Sequence, residues 1–408
     1  MAGFLFLALI ACDVGTPLTA RERLPDYVGG SIVNLVTTIA AALGAPAGAY
    51  PSLRHPHLEA LLASRERVVL IVVDGLGHGY LTRGYPGSSL CRYLHGSLTS
   101  VFPSTTATAI TAFLTGLAPA QHAITGWHMY IPEVATIGAV LPLRARAPNR
   151  PLTALGLVPS RFFDQRSVFD RLPVRSFVVS PERIVHSEFN RHHSGSAERR
   201  GYGSVEQLFD SILSCLRATE DRRYIYAYYA DFDSISHEHG VDSRQADLVL
   251  RRFDGAFAAF LSKAAGLDAT VIVTADHGFI DSPPERAIEL ENHPVLQGML
   301  RLPLCGERRA AYCYVHPDRA RDFERYVNEV LAEQVRLCSS QTLIGEGWFG
   351  PGPAHARLKE RVGDYTLVMR DNWTIKDWMP GEQRHRHIGV HGGLSTEEMT
   401  VPLVVVQP

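Results

Sequence analysis

The sequence predicts an α/β fold around a mainly parallel sheet, with a smaller α+β subdomain inserted late in the chain. Three observations predict it. Residues 67–74, 224–231 and 269–276 are near-continuous apolar runs, and each ends in a carboxylate, Asp74, Asp231 or Asp276. An unbroken apolar run, as opposed to an alternating one, marks a strand buried on both faces, as in a parallel sheet. Helical patterns at 204–216 and 245–264 alternate with these runs, which is the rhythm of α/β proteins. The rhythm breaks over 281–384, rich in Pro and Gly, and resumes with the strand-like 402–406.

The other elements follow in chain order. Ser31 is placed to cap a helix over 32–43, with Ile32, Leu35, Val36 and Ile39 on one face. Residues 44–56 read as a loop. After the 67–74 strand comes Pro103-Ser104-Thr105-Thr106, then a helix-like run over 107–114 stopped by Gly116 and Pro119. Residues 130–151 read as loops with short strands, 167–172 as the end of a helix, 175–179 as a strand and 192–203 as a loop. Within 281–384 a strand is expected at 310–315 and a helix at 318–333. The resulting division is a leader at 1–23, a core at 24–280, an inserted subdomain at 281–384 and a return to the core at 385–408.

Composition bounds the function. A chain of 408 residues with 46% hydrophobic and 20% charged residues is globular and long enough for a large core or two domains. With 40 basic and 42 acidic residues, no like-charge run and a formal charge of −2, no nucleic-acid polymer is expected as a partner. The cysteines, Cys12, Cys91, Cys215, Cys305, Cys313 and Cys338, are scattered and form no C-x-x-C pair. They read as mostly buried thiols in reducing surroundings, so a cytoplasmic location is expected. Residues 3–11 are apolar and end at Leu9-Ile10-Ala11-Cys12, similar to a bacterial lipoprotein cleavage site, but no Lys or Arg precedes them. A disordered or mis-started leader is the expectation, and export through Cys12 the alternative. No stretch is long and apolar enough to predict a membrane-spanning helix.

The hydroxyl run Ser104-Thr105-Thr106 precedes a helix, where free N–H groups favour an anion. Alone it reads as an N-cap. The rest of the chain supplies an activating set. Asp74, Asp233, His237, Asp276, His277 and His391 all lie just after, or close to, the expected buried strands. Open α/β sheets bind their ligands at strand C-termini. Mixed His and carboxylate ligands suit zinc, with manganese as the alternative. Six such ligands are about enough for two metals, and two metals ~3.5–4 Å apart can hold the attacking and leaving oxygens of an in-line displacement. Gly75-Leu76-Gly77-His78-Gly79 lacks a following Lys-Ser/Thr and is not a phosphate loop.

Five blocks in this order resemble the alkaline phosphatase superfamily, in its type I phosphodiesterase/nucleotide pyrophosphatase branch. They are Val72-Val73-Asp74-Gly75, Phe102-Pro103-Ser104-Thr105-Thr106, Asp233-Ser234-Ile235-Ser236-His237-Glu238-His239-Gly240, Thr274-Ala275-Asp276-His277-Gly278, and His391-Gly392-Gly393 ahead of Val401-Pro402. The resemblance implies a three-layer sandwich and two metal sites. Asp233, His237 and His391 would form one, and Asp74, Asp276, His277 and the nucleophile oxygen the other. It places the nucleophile at Thr106, with Thr105 as the alternative register, and implies a phospho-threonine intermediate. The implied substrate is a small phosphate ester or nucleotide. A phosphomonoesterase or phosphonate hydrolase is the alternative, and a phosphomutase or a non-catalytic metal-bound scaffold lies further off. Where the branch carries a phosphate-binding Asn, this chain has Trp127. The sulfatase motif is absent around Thr106. His239, His385 and His387 read as neighbours of ligands or as surface residues, Trp127 and Tyr130 as packing residues with stacking on a base or aryl leaving group as the alternative, and Arg144, Arg146 and Arg150 equally as an anion-facing rim or a solvated loop. Oligomeric state has no signal in the sequence.

Overall fold

In the computed structural model, which describes residues 18–408 except 56, 219, 220 and 385, seven strands form the main sheet. Their order is Leu94–Thr99, Thr400–Val406, Ala269–Thr274, Arg67–Val73, Arg223–Tyr229, Arg175–Pro181 and Glu198–Tyr202. Only Thr400–Val406 runs against the others. Cys12 and His385 lie outside the described residues. The expected buried strands are buried throughout, apart from the edge residues Arg67 and Tyr228.

The helix Ile32–Ala42 starts where Ser31 predicts, and Ser31 N–H donates to Asn34 Oδ1 at 3.0 Å. It packs with Leu58–Ala63 and Thr106–Thr115. A second group contains Val205–Arg217, Asp231–His239 and Arg244–Ala264. No helix among the described residues is long and apolar enough to cross a membrane.

Residues 192–203, expected as a loop, instead carry the end of the helix Glu188–His193 and the strand Glu198–Tyr202. That strand pairs on one side only, so its outer residues Glu198, Arg199 and Arg200 meet water and the apolar signature is lost. The helix end expected at 167–172 is a single 3-10 turn, Phe169–Arg171.

A second seven-stranded sheet is antiparallel, in the order Val335–Ser339, Tyr365–Met369, Ala310–Cys313, Cys305–Gly306, His128–Ile131, Thr136–Ala139 and Arg144–Ala145. It therefore draws on two parts of the chain, one within 281–384 and one within 128–145. The helix Ala320–Val330 covers it through Phe323 and Val327, packed with Leu331 and Leu367.

Two contacts tie the sheets together. Phe102, just ahead of the hydroxyl run, is fully buried against Trp348 and Phe349 at ring-centroid distances of 5.3 and 5.4 Å. Burial of such a ring contributes about 1.5–3 kcal/mol. Arg309 of the second sheet donates to both oxygens of Glu398, at 3.1 and 3.0 Å, and both side chains are buried. Glu398 also accepts Gly393 N–H at 2.8 Å, so the pair fixes the loop that carries His391. Removing one partner of such a pair strands a buried charge. Arg309→Met is therefore expected to lower stability by about 3–5 kcal/mol in urea unfolding. The double variant Arg309→Met/Glu398→Leu should recover part of that loss.

Candidate active site

Strand register assembles the site. Val72 stands opposite both Tyr228 and Thr274, so the chain leaves all three strands at one level. Asp74 and Asp276 each follow two residues after those positions, and Asp233 falls in the first turn of the next helix, Asp231–His239. His237 lies one turn further along the same helix face as Asp233. Because Thr400–Val406 is antiparallel, the segment before it returns to the same edge and delivers His391. Leu94–Thr99 leads there too, and Ser100 N–H donates to Met399 O at 2.7 Å. Two glycines permit this crowding. Gly75 adopts φ +78°, and a Cβ on Gly278 would stand 2.0 Å from the Glu397 carbonyl.

The structure brings together every residue that the sequence nominates. Thr106 Oγ1 lies 3.1 Å from His277 Nε2 and 3.4 Å from Asp74 Oδ1. Asp74, Asp276 and His277 form one triad, and Asp233, His237 and His391 form another. In the second, Asp233 Oδ1 is 3.5 Å from His237 Nε2 and 3.9 Å from His391 Nε2. The rings of His277 and His391 stack at 3.7 Å, so the triads share a wall.

Each imidazole is oriented by a main-chain carbonyl. Nδ1 of His277 donates to Gly278 O at 3.0 Å, that of His237 to Gly389 O at 2.8 Å, and that of His391 to Ser104 O at 3.2 Å. A carbonyl only accepts, so each neutral ring keeps its proton on Nδ1 and offers a lone pair at Nε2. The Nε2 atoms of His237 and His391 consequently face each other at 3.2 Å with no proton between them.

These groups fit divalent cations. Asp276 Oδ1 accepts the Gly75 and His277 N–H groups at 3.0 Å each, but Asp276 Oδ2 and Asp233 Oδ1 are buried with no hydrogen-bond partner. Burial, and then the charge of Asp276, holds the Asp74 carboxyl well above the usual carboxylate range. Burial, followed by Asp74, does the same to Asp233. Burial pushes His237 and His277 down to about 4, and His391 well below its ordinary value. Bare carboxylates resist ionising here and the imidazoles resist protonation. A cation between the oxygens and the Nε2 lone pairs relieves both.

Thr105 and Thr106 have different partners. Thr105 is the N-cap residue of the helix Thr106–Thr115, yet its hydroxyl makes no cap bond and donates to Glu307 Oε1 at 2.7 Å. Glu307 Oε1 also accepts Trp127 N–H at 2.6 Å. Only the Thr106 hydroxyl of this pair points at a triad.

Sequence reasoning missed Tyr228, whose hydroxyl donates to Asp74 Oδ2. A signal existed, because Tyr224, Tyr226 and Tyr228 share one strand face and buried hydroxyls usually need partners. Glu307 carried no signal. Trp127, expected to pack, is 38% exposed and lines two cavities that meet at Thr106. Arg146, expected in an anion-facing rim or a solvated loop, is buried between Asp377 and Glu382 at 2.7 and 2.8 Å. Tyr130 does pack, against Tyr314. His387 lies with its ring 4.4 Å from that of His237.

The family model described as type I phosphodiesterase / nucleotide pyrophosphatase matches residues 68–394. No curated protein matches the sequence. Among solved structures, murine ectonucleotide pyrophosphatase/phosphodiesterase 5 is similar at a TM-score of 0.62 and 19% identity, over 84% of this chain and 88% of that one. The human form gives 0.63 and 17%, with the same coverage. Phosphonoacetate hydrolase from Sinorhizobium meliloti 1021, in complex with phosphonoformate, gives 0.61 and 17%, over 84% and 90%. At these identities the likeness is one of fold.

Three outcomes are expected. Adding zinc to chelator-treated protein should raise its melting temperature and saturate at two ions per chain. Tyr228→Phe should weaken metal affinity about 10–100-fold by titration against a competing chelator. For pH, burial raises Glu307 from 4.5 to about 7. A carboxyl raised on folding contributes its stability below its unfolded value and loses it as pH rises through its folded value. Glu307→Gln, which keeps the accepting oxygen, should therefore raise the melting temperature relative to the parent at pH 8 and change it little at pH 4.

Proposed function

We propose, from the premise that this chain belongs to the type I phosphodiesterase/nucleotide pyrophosphatase family of the alkaline phosphatase superfamily and is a hydrolase of phosphoric ester bonds, that Thr106 is its nucleophile. Its substrate is a small phosphodiester or nucleotide anhydride. Asp74, Asp276 and His277 would hold one divalent ion, and Asp233, His237 and His391 a second, with zinc the best match to the donor set. Bound there, such ions supply Lewis acidity that lowers the pKa of a hydroxyl or water and draws charge from phosphoryl oxygens.

The observation that carries this reading is the Thr106 hydroxyl, set 3.1 and 3.4 Å from one triad with the other triad beside it. The Thr106 oxygen forms a bond to phosphorus as the ester oxygen on the far side departs, leaving a phospho-threonine. Water then displaces the threonine oxygen from the opposite side and regenerates the hydroxyl. Asp74 and His277 aim the oxygen, and the ten-residue helix beginning at Thr106 presents its positive end to the phosphoryl group. In support, a threonine-to-alanine form of murine ectonucleotide pyrophosphatase/phosphodiesterase 5, solved in complex with AMP, is inactive.

Thr106→Ala should reduce kcat/KM on bis(4-nitrophenyl) phosphate by about 10³-fold or more while metal content stays unchanged. Thr105→Ala should lose far less. The reverse pattern would move the nucleophile to Thr105, and full activity in both variants would remove it from this run.

A further inference from the structure

The two cavities that meet at Thr106 differ in character. One, of about 450 Å³, has an apolar side made by Ile110, Leu141, Pro142, Ile184 and Phe189, a polar side that includes Ser180, Asn190 and Tyr228, and Arg183 at its exposed rim. The other, of about 210 Å³, has Asp233, His237 and His391 on one side and Arg146, Arg308 and Lys376 on the other. Thr106 is tied to the first triad. An in-line displacement sends the departing group away from the attacking oxygen, hence toward the second triad and the smaller cavity.

The cations of that cavity have different partners. Arg146 is fully engaged, with Asp377, Glu382 and the carbonyl of Leu304 as acceptors. Lys376 shares Glu382 with it, at 3.2 Å. Burial, with the charges of Arg146 and Arg308, still pushes the Lys376 ammonium down to about 8. Arg308 lies over the Trp378 ring at 5.8 Å, within the field of Glu289, Glu307 and Glu382, and close enough to His237 to depress that imidazole. Burial nonetheless lowers the Arg308 guanidinium from its ordinary value. Of the carboxylates in the wall, Asp377 accepts from Arg146 and from Leu304 N–H, and Glu307 accepts from Thr105 and Trp127.

We infer that the smaller cavity is a subsite for a second anionic group, a carboxylate or a phosphate, carried on the departing side of the substrate and bound by Arg308 and Lys376. The inference rests on the hydrolase reading of Thr106 and deepens it. The substrate is asymmetric, with an anionic leaving group and a less polar retained group in the larger cavity.

The test is calorimetric titration of metal-loaded Thr106→Ala protein with methylphosphonate, phosphonoacetate and methylenediphosphonate, which share one phosphonate and differ in the second group. Binding of at least one doubly anionic ligand should be about tenfold or more tighter than that of methylphosphonate. The tighter of the two identifies the second group as carboxylate or phosphate. Adding Lys376→Met, which keeps the packed stem, or Arg308→Gln should cut that preference about tenfold, and Arg308→Lys should restore part of it. Equal binding of all three ligands, or a preference unchanged in both charge-removing variants, overturns the subsite. The titration needs no turnover. A parent enzyme inert toward every ester with the preference intact would sink the hydrolase reading and leave the subsite standing.

Discussion

Three carboxylates with too little water around them are the constraint on which this site depends. Asp74, Asp233 and Asp276 converge at the strand ends, and two of their oxygens have no hydrogen-bond partner among the described residues. At ~4 Å, and the effective dielectric of a partly buried site, two like charges oppose each other by about 4 kcal/mol. The fold holds the groups there through main-chain contacts. Gly75 N–H takes one oxygen of Asp276, and three carbonyls take the Nδ1 protons of the histidines. Every one of these contacts leaves the remaining lone pairs pointing inward, which is where a cation lowers the energy of the assembly.

The chemistry and the surroundings come from different sheets. The mainly parallel sheet supplies Asp74, Asp276 and, through the helix that follows Arg223–Tyr229, Asp233 and His237. The segment that follows Cys305–Gly306 of the antiparallel sheet supplies Glu307 and Arg308, and a separate parallel pair, Ala287–Glu289 with Thr374–Lys376, supplies Lys376. Arg309 joins the two seven-stranded sheets by holding Glu398, which in turn holds the Gly393 amide beside His391. Through these hydrogen bonds the second sheet bears on the loop that carries His391.

What was legible in the sequence follows from burial. The strands that end at Asp74 and Asp276 are central and covered on both faces, so their residues are almost all apolar and they announce themselves. Glu198–Tyr202 and Leu94–Thr99 are edge strands with polar, half-exposed residues and gave no such signal. All seven candidate ligand and nucleophile residues were legible because each stands beside a recognisable strand or within a short motif. The strand face signalled that Tyr228 needs a partner, but not that the partner is Asp74, which is set by the register between strands 154 residues apart in the chain. Glu307, Arg308 and Lys376 sit near short strands in a stretch rich in Pro and Gly, where no periodicity marks a site.

The choice between Thr105 and Thr106 shows why local sequence could not finish the problem. Both are hydroxyl residues at one helix start, and either could cap it. The structure separates them through Glu307, a residue 202 positions away from Thr105. An N-cap hydroxyl stabilises a helix by about 1 kcal/mol, and Thr105 forgoes that bond. It gains one to a carboxyl that also accepts the Trp127 amide. The start of the nucleophile helix is thereby fastened to the wall that carries Arg308 and Lys376. Glu307 thus joins the residue before the proposed nucleophile to the segment that carries Arg308, its neighbour in the chain.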